Sequence, residues 1–172
     1  MHIRLTLALS AALLLVASST FAQSGAYTTT FSANFDVAYH ELSDTSHAGA
    51  HFDLARTITD DIPRLAVVGE VGFNHFSDAT VASVLGGARV RIPIADERFL
   101  PFAQLLLGLY HCSACGDNDF ALQAGGGVDF LLPHRNNIRL RAELDYRHMF
   151  NSVTGFDAAR LSGGVVFPLN VR

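Results

Sequence analysis

The two cysteines lie close enough in sequence to form a disulfide, a redox pair or part of a metal site. Cys112 and Cys115 are separated by two residues, a spacing found in small disulfide rings, in thiol redox centres and, with a neighbour such as His111, in metal sites. A redox centre of this kind uses a helix N-terminus, and no helix is predicted here. An exported protein meets an oxidising compartment, so we expect a loop disulfide between Cys112 and Cys115.

A group of histidines forms a second candidate site. By strand parity His40, His47 and His51 would point into the mouth of the lumen of a closed β-barrel, with Asp53 one step below His51. Imidazoles with a carboxylate can bind Zn²⁺ or Cu²⁺. Histidine is also common at interfaces, where its ring is apolar and its tip polar. We expect no cofactor and no metal, with a metal site at these three histidines as the alternative.

A third candidate is the stretch His75-Phe76-Ser77-Asp78-Ala79. It resembles the His-x-Ser-Asn-Ala stretch of outer-membrane lipid A deacylases, in which a histidine activates a serine toward an ester. His75 and Ser77 share the strand parity of Leu65 and Phe73, so both would face lipid near the outer interface, where such a substrate lies. Asp78 stands where those enzymes have Asn, and no accompanying acid is evident. We expect no catalysis, with a lipid-modifying esterase as the alternative.

The N-terminal segment and the composition limit which folds could position these residues. Residues 1–22 combine a charged start, a short apolar run and the small-residue end Thr20-Phe21-Ala22, the pattern of a secretory signal peptide. Its removal leaves residues 23–172 as one domain with eleven arginines, no lysine, sixteen acidic residues and a net charge of −5. This balance argues against nucleic-acid binding, and no later apolar run is long enough for a helical membrane span.

Strict alternation of apolar and polar residues dominates the rest of the chain and predicts β-strands with one apolar face. The clearest case runs from Ile138 to His148, where Arg139, Arg141 and Glu143 alternate with aliphatic residues. Segments of this length suit membrane-spanning strands, which need about 9–11 residues. Eight such segments are present, at about 30–41, 47–58, 65–74, 80–91, 99–110, 120–130, 138–148 and 160–167.

The polar faces of these segments carry acids and arginines in equal number. The acids are Asp36, Asp53, Glu70, Asp129, Glu143 and Asp145, and the arginines are Arg89, Arg91, Arg139, Arg141, Arg147 and Arg160. A closed interior requires such charges to be paired, and the planar fork of arginine suits paired networks. We therefore expect an all-β, eight-stranded antiparallel up-and-down transmembrane barrel, with a narrow polar lumen filled by side chains. A soluble, lipocalin-like binding barrel with its apolar face inward is the alternative.

Three late segments resemble a known family of barrels. A Gly-rich strand ending in Val128-Asp129-Phe130, the run RLRAELDYRH and the closing strand RLSGGVVFPL are similar to the late strands of small bacterial outer-membrane barrels, the OmpA/OmpX-like membrane domain. The likeness implies periplasmic termini, periplasmic turns at 60–64, 94–98 and 133–137, and external connections at 43–46, 77–79, 112–118 and 151–156. In that family the assembly machinery binds a terminal aromatic residue; Phe167 occupies that place here, although five residues follow it.

The resemblance implies an architecture and leaves the activity open, because function depends on a site. We expect a monomer in the cell outer membrane, in contact with outer-membrane lipid and, during insertion, with the assembly machinery. Its predicted role is structural or surface-interactive, without an open pore.

Overall fold

A computed structural model describes residues 29–40, 45–58, 65–75, 80–92, 94, 98–113, 118–132, 138–150 and 156–169. Several sequence predictions lie outside these residues. They are the signal peptide 1–22, the side chain of His40, the nucleophile candidate Ser77 and the second cysteine, Cys115.

The described chain consists of eight antiparallel strands in a closed barrel, and the predicted fold class is confirmed. Each strand pairs with the next in sequence, and the last pairs with the first. Within the described residues, no helix is long and apolar enough to cross a membrane. The strands are β1 (Thr29–His40), β2 (Thr45–Thr57), β3 (Leu65–His75), β4 (Thr80–Arg91), β5 (Phe99–Cys112), β6 (Asn118–Leu131), β7 (Arg139–Phe150) and β8 (Phe156–Leu169).

The strands are staggered around the barrel. A path of paired residues that leaves β1 at Thr30 returns to β1 at His40, ten residues farther along the strand. Closure with such a stagger requires strands that tilt relative to the barrel axis. We call the end at which β1 continues into β2, β3 into β4, β5 into β6 and β7 into β8 the upper end.

The outer surface of the barrel is apolar. Leu144, Leu161 and Phe35 are 62%, 61% and 60% exposed, and similar side chains cover every strand. The same strands turn their charged residues inward, as with Glu70 and Arg160, which are 1% and 2% exposed. A soluble barrel would place these faces the other way round, so the lipocalin-like alternative is wrong.

Glycine on the inner face makes room for polar side chains. A Cβ atom added at Gly125 would overlap the side chain of Asp145 and the backbone of Leu144 on the neighbouring strand. Gly163, on the outer face, has no atom near the equivalent position. The inner glycine is therefore a packing requirement, whereas the outer one is not.

The upper part of the lumen differs from the predicted polar interior. Met149 lies two residues above Arg147 on β7, and Ala158 lies two residues above Arg160 on β8. Both are buried, and the inward residues at this height on β1, β4, β5 and β6 are also mainly apolar, whereas β3 contributes the polar side chain of Asn74. The polar lumen therefore has a mainly apolar layer at its upper end, which was not predicted because parity identifies the inward face but not the polarity of each layer. The apolar cap consists of Ala38, Val81, Tyr110, Cys112, Ala121, Met149 and Ala158.

Candidate functional site

The predicted lumen charges lie together inside the barrel. Arg91 and Arg139, at the lower end, are only partly buried. The remaining ten are nine-tenths or more buried, namely Asp36, Asp53, Glu70, Arg89, Asp129, Arg141, Glu143, Asp145, Arg147 and Arg160.

Glu70 is a centre of this network. Its Oε1 accepts hydrogen bonds from Arg160 at 2.8 Å and from Arg147 at 3.2 Å. Its Oε2 accepts one from a second nitrogen of Arg160 at 3.0 Å, and Arg160 also donates to Asp145 at 2.7 Å. Two buried guanidinium groups thus share one carboxylate, so neither cation is left without a counter-charge.

Asp53 is a second centre, nearer the lower end. Its Oδ2 accepts hydrogen bonds from Arg141 at 2.6 Å, from Arg89 at 3.2 Å and from the Ser32 hydroxyl at 2.6 Å. Both guanidinium groups lie 4.6 Å from the centre of the Phe102 ring. The aromatic ring therefore interacts with both cations while the carboxylate compensates their charge.

Glutamine side chains connect the two centres, although they were not among the predicted site residues. Gln104 accepts a hydrogen bond from Arg89 at 2.7 Å and donates to Glu143 at 2.9 Å and to Asp145 at 3.1 Å. Gln123 accepts from Arg147 at 2.6 Å. Both have polar-face parity on strands that carry few charges, which is the signal that could have identified them.

His51 lies within this network and not at the lumen mouth, where it was predicted. It is 0% exposed, and its Nδ1 is 2.7 Å from Asp36 Oδ1. It lies six residues from the upper end of β2, which explains its depth. His47 shares the strand but is four residues away, about 13 Å at the usual strand rise. The structure therefore does not bring His47 and His51 to one metal ion.

A different set of donors does meet around His51. Ligand atoms of His51, Asp53 and Glu143 lie within 4.8 Å of one another, and His51 Nε2 and Glu143 Oε2 have no hydrogen-bond partner among the described residues. However, Asp53 already accepts hydrogen bonds from two arginines. A cation here would displace one of those guanidinium groups, so the arrangement fits an internal ion-pair network better than a metal centre.

Three other histidines lie at the upper end of the barrel on its outer face. His75 Nδ1 is 3.2 Å from Thr80 Oγ1, His111 Nδ1 is 3.0 Å from Asn118 Oδ1, and His148 Nδ1 is 2.6 Å from Asp157 Oδ1. In each case the partner stands directly opposite on the next strand. We call His75, His111 and His148 the histidine rim.

The esterase hypothesis depends on His75, Ser77 and an acid. His75 faces outward as predicted, but its partner across the hairpin is Thr80, which cannot supply the negative charge of a catalytic acid. Ser77 lies outside the described residues. The hypothesis stays a prediction, and the described geometry adds no support for it.

Cys112 ends β5 in the apolar cap, with 6% exposure, and is not a free thiol. Cys115 lies outside the described residues, so its pairing with Cys112 stays a prediction.

Comparisons with known proteins agree on the fold. No protein-family model matches the sequence, and neither does any curated protein. Among solved structures, Neisserial surface protein A matches with a TM-score of 0.65 at 15% identity, covering 84% of this chain and 98% of that one. The outer membrane enzyme PagL matches with a TM-score of 0.52 at 13% identity, covering 80% and 99%. The chain thus has the fold of the small eight-stranded outer-membrane β-barrels.

Proposed function

We propose that this chain is an outer-membrane barrel with a structural or surface-interaction role and a lumen closed to solutes. The observation that supports the proposal is that the apolar side chains of the barrel face outward and its charged side chains face inward. Leu144 and Leu161 are among the most exposed residues, whereas Glu70, Asp53 and Arg160 are almost fully buried. Such a surface is stable only against acyl chains, and a closed barrel satisfies every backbone group within lipid.

The closed lumen follows from the connectivity of the network. Hydrogen bonds cross the interior from Arg160 on β8 to Glu70 on β3 and from Gln104 on β5 to Glu143 on β7. These contacts fill the centre of a barrel whose strand number leaves space for side chains only. A role in envelope integrity or surface contact therefore fits better than transport.

A fractionation experiment tests the location. Cells expressing the full chain are separated into soluble, inner-membrane and outer-membrane fractions, and the protein is run on gels with and without boiling. We expect outer-membrane recovery and a mobility shift on heating. Recovery in the soluble fraction without a shift contradicts the proposal.

Spin labels test the sidedness directly. Single labels at the outward positions 107 and 140 should be accessible to lipid-soluble oxygen and protected from a water-soluble nickel reagent. A label at position 162, on the inner face, serves as the matched control and should be protected from both, because Ser162 is 4% exposed in the lumen. Water-like accessibility at 107 and 140 overturns the assignment.

Two assays separate the proposed role from the alternatives. Purified barrels in planar bilayers should give no stable conductance steps, whereas regular steps would make the protein a channel. Lipid A from cells that overproduce the protein should be unchanged. Loss of an ester-linked acyl chain that depends on His75 and Ser77 would make it an enzyme.

A further inference from the structure

The histidine rim repeats one arrangement on three strands. His75, His111 and His148 lie at or near the upper ends of β3, β5 and β7, and each faces outward. Alternate strands of a sheet are roughly 10 Å apart, so the three imidazoles are too far apart to share one metal ion. Any contact that they make on the outer surface is therefore a separate one for each histidine.

The hydrogen bonds of the rim determine which nitrogen is available. The amide oxygen of Asn118 and the carboxylate of Asp157 can only accept, so Nδ1 of His111 and of His148 must donate. Among the described residues, no hydrogen-bond partner faces the Nε2 atoms of the rim. A neutral imidazole bonded in this way offers only a lone pair at Nε2, whereas a protonated one offers an N–H and a positive charge.

The position of the rim indicates what these nitrogens meet. Directly below the histidines on the outer face are Phe73, Leu109 and Tyr146, which are 46%, 54% and 51% exposed and belong to the lipid-facing belt. The rim therefore lies where acyl chains give way to headgroups. If the barrel has the orientation implied by its resemblance, this is the outer leaflet of the outer membrane.

We propose that the histidine rim binds the phosphate groups of outer-leaflet glycolipids in its protonated form. The inference rests on the proposed outer-membrane location. The chain has no lysine, and no arginine lies on the outer face of the described upper strand ends, so imidazolium groups are the cations available there. Binding should therefore strengthen as the pH falls, because only the protonated imidazole carries a positive charge.

The charges that face each rim histidine from its neighbouring strands differ. The residues beside His75 and His111 are uncharged, whereas His148 faces the carboxylate of Asp157, to which Tyr146 is also hydrogen-bonded. The positive charge of protonated His148 is therefore partly neutralised by Asp157, and His148 contributes least to the attraction of phosphate. The facing residues are Ala48 and Thr80 for His75, Ala82 and Asn118 for His111, and Leu122 and Asp157 for His148.

The test uses the full chain folded into phosphatidylcholine nanodiscs that contain a fixed fraction of bisphosphorylated lipid A. Lipid A retained by the barrel is counted by mass spectrometry after the barrel is transferred to detergent. We expect retention at pH about 5.5 to exceed that at pH about 8 by roughly five-fold or more, the factor for one cation near an anionic lipid surface. Dephosphorylated lipid A should show no such dependence.

Variants locate the effect. The triple variant His75→Gln, His111→Gln, His148→Gln should lose the pH dependence and keep the heat-dependent gel shift that marks a folded barrel. His47→Gln, which alters an inward-facing histidine, is the control and should behave as the parent. Asp157→Asn should increase the retention of lipid A at low pH. His148→Gln alone should lower that retention less than His75→Gln does.

Equal retention at both pH values, or an unchanged triple variant, overturns the proposal. Because the nanodisc assay measures lipid binding by purified protein, its failure is distinct from a failure of the barrel to reach the outer membrane, which the fractionation experiment reports.

Discussion

Two histidine–aspartate pairs in this barrel have almost the same geometry and very different surroundings. The Nδ1–Oδ1 distance is 2.7 Å between His51 and Asp36 and 2.6 Å between His148 and Asp157. The first pair has no exposed side-chain surface, whereas the side chains of the second are 36% and 33% exposed. The distance between two polar atoms therefore does not by itself measure how much their contact contributes to stability.

The surroundings explain the difference. Inside, each group that loses its partner has no water to replace it, so removal of one member leaves an uncompensated charge or an unmade hydrogen bond. At the rim, solvent can replace either partner, and exposed ion pairs contribute little. We therefore expect the effects of substitution to follow burial.

The largest effect is expected at Glu70. Glu70→Gln removes the charge shared by Arg147 and Arg160 and should lower the free energy of unfolding by about 3–5 kcal/mol. Urea unfolding in phosphatidylcholine vesicles, followed by circular dichroism because the chain has no tryptophan, measures this. Glu70→Asp, which keeps the charge, is the control and should lose less. Equal losses for the two variants would show that fit, and not charge, dominates.

The inner histidine pair should follow. Asp36→Asn replaces a carboxylate that lies 2.7 Å from buried His51 with a neutral amide. Hydrogen bonds to charged groups are worth about 1.5–3 kcal/mol, and the free energy of unfolding should fall by that amount. The same urea titration measures it. A change below the uncertainty of the titration would mean that the buried pair is energetically equivalent to the exposed one.

Two glycines, one inside and one outside the barrel, test the effect of side-chain volume instead of charge. Gly125→Ala brings a methyl group onto Asp145 inside the barrel and should destabilise it by about 1–3 kcal/mol. Gly163→Ala, on the open outer face, is the matched control and should leave the unfolding midpoint nearly unchanged. Similar midpoints for both variants would contradict the assignment of inner and outer faces.

The smallest effect is expected at the rim. Asp157→Asn removes the carboxylate beside His148 and should change the free energy of unfolding less than any of the inward-facing substitutions above, because exposed ion pairs contribute little. A loss as large as that of Asp36→Asn would show that solvent does not replace the missing partner at the rim.

Alternation with a period of two was sufficient to predict the strands and their faces. The alternation along each strand placed Glu70 and Arg160 on the inward face, because shifting a strand by one residue would move all of its charged side chains to the outer face. Parity could not predict that these two meet. They are 90 residues apart in sequence, and their relative height depends on the stagger around the whole barrel.

The same limit explains the errors. His51 was predicted at the lumen mouth because the alternation in the sequence begins at His47, four residues before it, whereas β2 begins at Thr45 and extends six residues above His51. Met149 has the parity of Arg147 but belongs to an apolar layer, and layers are formed by residues from different strands. Neighbours within one strand do not reveal them.

The apolar cap has a consequence for permeation. A passage lined mainly by methyl, thioether and aromatic groups disfavours water, and an ion that enters it must leave part of its hydration shell behind. Asn74 adds one polar group to this layer. Rearranging the arginines and carboxylates below would leave the apolar groups in place, so Met149 and Tyr110 are the first residues to shorten in a design for conduction.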